Sequence, residues 1–340
     1  MTTTNPPGLD LARLTAWLDA RVPGGCGPLA AEILPGGRSN LTYVVADGRR
    51  SWVVRRPPIG EVLATAHDVA REHRVLAALA GTPVPVPEVF GLGEPDVLGA
   101  PFYVMEHVAG TTYRNASDLA VVGAEKARRI CEGLVDTLAA LHAVDPASIG
   151  LDTLGRPEGF LGRQVRRWYL QFEAVESPAL ALAQSVHARL AARVPADAPP
   201  GIVHGDYRLD NVIVGHDDRP AAVIDWEMAT CGDVLTDLAL LVVYQRTAQL
   251  AGTDVVPTAS SAAGYLDEQE LVERYAAASD RDLDRFGFHL ALASFKLAGI
   301  IAGIHHRHVS GQVHGPGVDR VGALVEPLLE SARSALEENT

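Results

Sequence analysis

The stretch I-V-H-G-D-Y-R-L-D-N at positions 202–211, followed by V-I-D-W-E at 223–227, decides how the rest of the chain is read. Each half is a short apolar run that delivers polar side chains into a turn. Val212, Ile213 and Val214 continue straight after Asn211, residues 215–220 supply turn chemistry, and residues 221–224 form the next apolar run, so the pattern predicts a β-hairpin. Its rim would collect Asp206, Asn211 and Asp225. A carboxylate such as Asp206 can orient a hydroxyl and accept its proton, whereas an amide oxygen on Asn211 and a carboxylate on Asp225 are hard oxygen ligands suited to Mg²⁺. One base and two metal ligands meet the minimum for a phosphoryl transfer, which asks a protein mainly for positioning and charge neutralisation.

In its order and spacing, H-G-D-x-x-x-x-N followed by I-D-W-E resembles the catalytic loop and metal-binding segment of the aminoglycoside phosphotransferase family, relatives of the protein kinases. The resemblance implies an α+β, bilobal protein-kinase-like fold, with a small antiparallel-sheet N-lobe over 1–107 and a larger, mostly helical C-lobe over 108–340. It implies ATP as the donor, with GTP the other candidate, and Mg as the ion. Asp206 matches the family's catalytic base, Asn211 and Asp225 its metal ligands, and His204 the histidine that organises the loop. Asp233 and Asp237, in G-D-V-L-T-D-L-A, match acids that brace the metal-binding segment and cap the next helix. Glu227 either touches metal-bound water or substrate, or closes the turn.

Upstream, residues 9–20 place Leu11, Leu14 and Leu18 at helical spacing before Pro23 and two glycines, which predicts a lead-in helix. Residues 32–57 then read as two or three strands, with a glycine turn inside and D-G between the later pair. Glycines at 36 and 37 permit a turn whose amides could close over nucleotide phosphates, although a plain hairpin turn fits the same residues. The family comparison matches Gly37, Ser39 and Asn40 to its nucleotide-positioning loop. In kinases a lysine on the third strand grips the phosphates and is held by a helix glutamate. Here V-V-R-R puts Arg55 at the best-matching position, with Arg56 as the alternative, and the next helix offers Glu72. Arginine is a departure from that pattern and is not an equivalent donor. After the Pro-rich stretch 83–87, P-F-Y-V-M-E-H-V-A-G resembles the hinge strand, which implies Met105 behind the adenine and the backbone of Glu106 and Val108 along its edge.

Beyond the hinge the chain turns helical. Residues 124–142 carry Ile130, Leu134, Leu138 and Leu141 on one face, and 165–192 supply more helix, broken near Ser177 and Pro178. An apolar stretch at 288–304 contains Lys296 and is shorter than the roughly 20 residues a bilayer span needs, so it reads as a core helix. His305, His306 and His308 follow it, but no acid at matching spacing completes a metal site. F-K-L-A-G-I-I-A-G-I-H-H-R-H and A-H-D-V-A-R-E-H-R-V-L-A-A-L are similar to segments of the kinase-like domains fused to some acyl-CoA dehydrogenases.

With 340 residues and 47% hydrophobic content the chain suits two lobes. Its formal charge of -13 argues against a nucleic-acid partner, because no basic stripe is present to release counterions. Three separated cysteines indicate neither a disulfide framework nor a zinc site. No basic region leads into an apolar core at the N-terminus, so the expectation is a cytoplasmic protein with no membrane contact. The expected activity is transfer of the γ-phosphate to a small-molecule hydroxyl, on either an aminoglycoside-like compound or a hydroxylated acyl or carboxylic metabolite. The alternative is a catalytically silent nucleotide-binding regulator, favoured by arginine at 55. Oligomeric state is left open.

Overall fold

The structure is a computed structural model that describes residues 5–34, 40–59, 68–250, 256–315 and 317–337. Gly37 and Ser39 lie outside the described residues. The chain divides into two compact units, Met1–Gly110 with Ala221–Ala229, and Thr111–Pro220 with Thr230–Thr340. Asp225 therefore belongs to the first unit, and Asp206 and Asn211 to the second.

The first unit begins with α1 (Leu11–Asp19), capped by the Asp10 carboxylate accepting from the Arg13 N–H. Leu11, Leu14, Trp17 and Leu18 form its buried stripe. Strands β1 (Ala30–Ile33), β2 (Leu41–Ala46) and β3 (Ser51–Arg56) follow. The β2–β3 turn is held by Asp47 Oδ1, which accepts from the N–H groups of Arg49 and Arg50, with Gly48 at φ +84°. Next come α2 (Val69–Leu79), β4 (Val89–Gly93), the short α3 (Pro95–Leu98) and β5 (Phe102–Glu106). The five strands form one antiparallel sheet in the order β1-β2-β3-β5-β4. Its core gathers Leu14, Leu18, Val45, Val54 and Val104, with Trp17 and Phe102 edge-to-face at 5.0 Å.

The second unit is mostly helical: α4 (Ala116–Ala120), α5 (Ala124–Ala143), α6 (Phe160–Ala174) and α7 (Leu180–Ala191) precede the motif segment. There the chain runs through β6 (Gly201–Val203) and β7 (Val212–Val214), passes through β8 (Pro220–Val223), which apart from Pro220 belongs to the first unit, and returns with β9 (Thr230–Gly232). β6 pairs antiparallel with β9, and the turn after β7 is closed by Gly215 N–H donating to the Arg219 carbonyl. Then come α8 (Leu235–Leu250), α9 (Glu268–Ala278), α10 (Phe286–Val309) and α11 (Val325–Ala335). The α+β class and the protein-kinase-like fold expected from the sequence are what the structure has.

The core-helix reading of residues 288–304 holds, but the length argument behind it needs correction. The apolar stretch that reads as too short for a membrane span belongs to α10, a helix of 24 residues that is long and apolar enough to cross a bilayer by length and composition. The helix extends past both ends of the apolar run, at Phe286 and through His305–His308. Its most apolar window is nonetheless 78% buried inside the protein, where the helix packs on α6, α8 and α11.

Candidate functional site

In the second unit the H-G-D turn is fixed by a single carboxylate. Asp237, on the first turn of α8 and 1% exposed, accepts from the His204 N–H at 2.6 Å and the Gly205 N–H at 2.8 Å. Gly205 sits at φ +87°, a conformation that favours glycine. Burial alone would push the Asp237 carboxyl up, but His142, 3.5 Å away, and the backbone donor at Gly205 outweigh it and hold it below the usual range. Asp233 accepts from the Leu235 N–H and from His289, tying the start of α8 to α10.

Asp206 follows directly. Tyr244 donates its hydroxyl to Oδ1 at 2.8 Å, Arg208 Nε and Asn211 Nδ2 reach Oδ2 at 3.2 Å each, and Asn211 Nδ2 also donates to the Asp206 carbonyl at 2.8 Å. The carboxylate remains 24% exposed. Asn211, whose Nδ2 is spent in this way, has an amide oxygen that accepts no hydrogen bond among the described residues and fits a hard cation. A cavity of about 20 Å³, room for one water molecule, is lined by Tyr244, Arg208, Asp210 and Gln245. Sequence reasoning does not single out Tyr244, yet a signal exists: it lies seven residues after Asp237 on α8, hence on the same helix face.

In the first unit, a helical stripe of Val69, Glu72, Val75, Leu76 and Leu79 turns Glu72 inward, leaving it 1% exposed. Three side chains meet it. Asn40 Nδ2 donates to Oε1 at 2.7 Å, Tyr103 Oη donates to Oε2 at 2.9 Å, and Arg55 Nη1 lies 3.3 Å from Oε2. Burial pushes the Glu72 carboxyl up to about 7, against the pull of Arg55 and the Tyr103 hydroxyl. The other arm of Arg55, Nη2, donates to Asp225 Oδ1 at 3.2 Å. Arg56 instead donates to the carbonyls of Gly8 and Leu98, so Arg55 is the strand arginine that meets Glu72. Asp225 holds a left-handed backbone at φ +67°, an uncommon conformation for a residue with a side chain, and stays 33% exposed. Tyr103 escapes the sequence reading as well; its signal is the register that sets it directly across from Arg55 on β3.

Met105 is buried in β5, Glu106 is exposed and Val108 half-buried beyond the strand. The Glu106 N–H already donates to the Glu88 carbonyl at 2.7 Å, so that donor is not open to a nucleotide. Among the histidines ending α10, His308 Nδ1 lies 3.0 Å from the Val313 carbonyl and His305 Nδ1 is buried without a partner among the described residues. No three His, Cys, Asp or Glu side chains cluster as a metal site among the described residues.

Known proteins share this plan. A model of the phosphotransferase enzyme family, APH, matches residues 30–289. Acyl-CoA dehydrogenase family member 11 of Rattus norvegicus is 33% identical over 333 residues, which cover 95% of this chain and 42% of that protein. Family member 10 of Mus musculus is 31% identical, over 90% of this chain and 29% of that one. The chain thus spans well under half the length of these curated relatives. A crystal structure from Ralstonia eutropha JMP134, assigned provisionally to the aminoglycoside phosphotransferases, matches with a TM-score of 0.82 at 31% identity, covering 97% of this chain and 98% of that one. The fold alone is shared with a thermostable mutant of aminoglycoside phosphotransferase APH(4)-Ia in ternary complex with ADP and hygromycin B, at a TM-score of 0.59 and 16% identity, covering 91% and 93%. By the family model that spans most of its length, the chain belongs to the phosphotransferase enzyme family.

Proposed function

We propose that the protein is an ATP-dependent phosphotransferase that moves the γ-phosphate to a hydroxyl of a small molecule. The observation that carries this reading is the setting of Asp206: a partly exposed carboxylate on a turn pinned by Asp237, oriented by Tyr244, Arg208 and Asn211. A group held in this way can align an acceptor hydroxyl and take its proton as the phosphorus–oxygen bond forms.

Arg55, braced by Glu72, is assigned to the nucleotide phosphates together with Asn40, whose Nδ2 also donates to Glu72. Met105, Glu106 and Val108 are assigned to the adenine, with Gly37 and Ser39 in the phosphate loop. Asn211 and Asp225 are the magnesium ligands in this reading; the ion, when bound, neutralises charge on the transferring phosphates. Two acceptor classes stand. A fold relative is in complex with hygromycin B, which supports an aminoglycoside-like acceptor, and the curated relatives are named as acyl-CoA dehydrogenase family members, which supports a hydroxylated acyl or carboxylic one.

The test is transfer of label from γ-labelled ATP, with magnesium, to a panel of aminoglycosides, hydroxy acids and hydroxyacyl thioesters. Wild-type protein is expected to label at least one, and Asp206→Asn to lose about a hundredfold to ten-thousandfold in kcat with ATP affinity nearly unchanged. Asp225→Ala is expected to weaken nucleotide binding only when magnesium is present. No labelled product with the wild type would favour the silent regulator, and near-normal turnover in Asp206→Asn would refute the base assignment.

A further inference from the structure

Lys296 is the charged side chain in the mostly apolar middle of α10, next in sequence to the buried Phe295 and Leu297, and the proposed transfer gives it no role. Its ammonium donates to the Gly205 carbonyl at 2.6 Å and lies 5.8 Å from the centroid of the Trp168 ring. Placing a lysine here has a cost: burial pushes its pKa down, and Asp206 and Asp237 resist that shift. A neutral donor would satisfy an ordinary carbonyl equally well. What distinguishes this carbonyl is its position, one bond from the peptide nitrogen of Asp206.

Gly205 is the residue most able to swing at this point, since glycine has the widest backbone freedom and here adopts φ +87°. Its two polar groups are held by opposite charges. The N–H goes to Asp237 Oδ1 at 2.8 Å and the C=O accepts from Lys296 at 2.6 Å. The next N–H, that of Asp206, donates to His204 Nδ1 at 3.2 Å. Asp237 fixes only the amide; beyond it the Asp206 N–H and carbonyl are held by the neutral side chains of His204 and Asn211, and Lys296 supplies the charged hold on the peptide between Gly205 and Asp206. Rotation of that peptide is what would sweep the Asp206 carboxylate. Charge-assisted bonds are short and strong enough to suppress it.

We infer that Lys296 is a positioning residue for Asp206: its charge-assisted bond to the Gly205 carbonyl sets the direction in which the carboxylate points. The inference rests on the reading of Asp206 as the base.

Lys296→Met, Lys296→Gln and Lys296→Arg in the full chain test it by steady-state kinetics, hydrogen exchange without substrate and thermal unfolding. Misplacement of a reacting group by an ångström costs on the order of a hundredfold, so Lys296→Met should lose about that in kcat while KM for ATP stays within about threefold. Exchange should quicken at 204–207 and stay unchanged in β6 and α8. Lys296→Arg, which keeps a charged donor, should recover about tenfold of the lost kcat. Lys296→Gln keeps a neutral N–H and should fall between Met and wild type; if the Met variant fails to fold, this one carries the comparison. Wild-type kcat in Met or Gln overturns the inference, as does lost kcat with unchanged exchange at 204–207, or exchange quickened across the whole second unit. Failure of the base assignment is distinguishable: Asp206→Asn would then turn over normally, while the exchange data still decide whether Lys296 pins the turn.

Discussion

Two carboxylates, one in each unit, are almost completely buried and are driven in opposite directions. Asp237 is held below the usual carboxylate range, and Glu72 is pushed up to about 7. Burial opposes ionisation at both; at Asp237 the His142 side chain, His204 and the Gly205 N–H outweigh it, whereas at Glu72 Arg55 and the Tyr103 hydroxyl do not. Asp237 accepts from two main-chain N–H groups that cannot rotate away. Among the described residues Glu72 accepts only from side chains, those of Asn40, Tyr103 and Arg55. The first arrangement makes permanent geometry. In the second, the donors are shared or unsaturated: Arg55 also reaches Asp225, and its Nε, like Asn40 Oδ1, is buried without a hydrogen-bond partner among the described residues. Main-chain donors fix the Asp237 turn, whereas the Glu72 group keeps side-chain polar atoms without partners among the described residues.

The sharpest way to break the contrast is Asp237→Asn. One of the two loop amides would lose its acceptor and the Asn amide would face a donor, so stability should fall by about 3 kcal/mol in chemical denaturation at pH 7. The pH dependence gives the sign. Because the folded pKa is depressed, Asp237 contributes stability that is present above its unfolded value and is lost as pH falls through the folded one. The gap between wild type and variant should therefore narrow toward pH 3, and a constant gap would mean that Asp237 is not ionised in the native state. Glu72→Gln should be smaller, about 2 kcal/mol at pH 5, with the opposite slope removed. Its raised folded pKa means that the native state binds the extra proton between the ordinary 4.5 and about 7, so Glu72 costs wild-type stability as pH rises through that window. The variant should be flatter there; an unchanged slope would place the titration on another group.

The legibility of these elements from sequence followed their chemistry. H-G-D-x-x-x-x-N could be read because a histidine, an acid and an amide at that fixed spacing seldom coincide without a shared site, and the Glu72 stripe because helical periodicity shows which face is inward. Arg55 and Arg56 could not be separated: adjacent strand residues point to opposite sheet faces, and only the packing of α2 decides which face meets the carboxylate. Lys296 looked like a stray charge in an apolar run, since its partner is a backbone carbonyl 91 residues away. A main-chain partner has no sequence signature. Tyr103 was hidden for a related reason. Within F-Y-V-M-E a tyrosine is ordinary strand composition, and its hydroxyl matters only once register brings Arg55 opposite and α2 brings Glu72 within reach.

Tyr103→Phe is the gentlest test of the same contrast. The ring stays in its packed place and no buried donor is orphaned, so the change removes one hydrogen bond to a carboxylate and little else. Stability should fall by about 1 kcal/mol at pH 8, where Glu72 is ionised, and by less at pH 5, where it carries a proton. The reason is that the phenol donates to the charged form and, pushed well above its usual pKa by burial and by Glu72, stays protonated across this range. With one donor gone, the Glu72 pKa should move further up and the slope of stability with pH should steepen above 7. If the loss is the same at both pH values, the Tyr103 hydroxyl serves the apolar side of the sheet rather than the charge on Glu72, and the side-chain network would reduce to Asn40 and Arg55 alone.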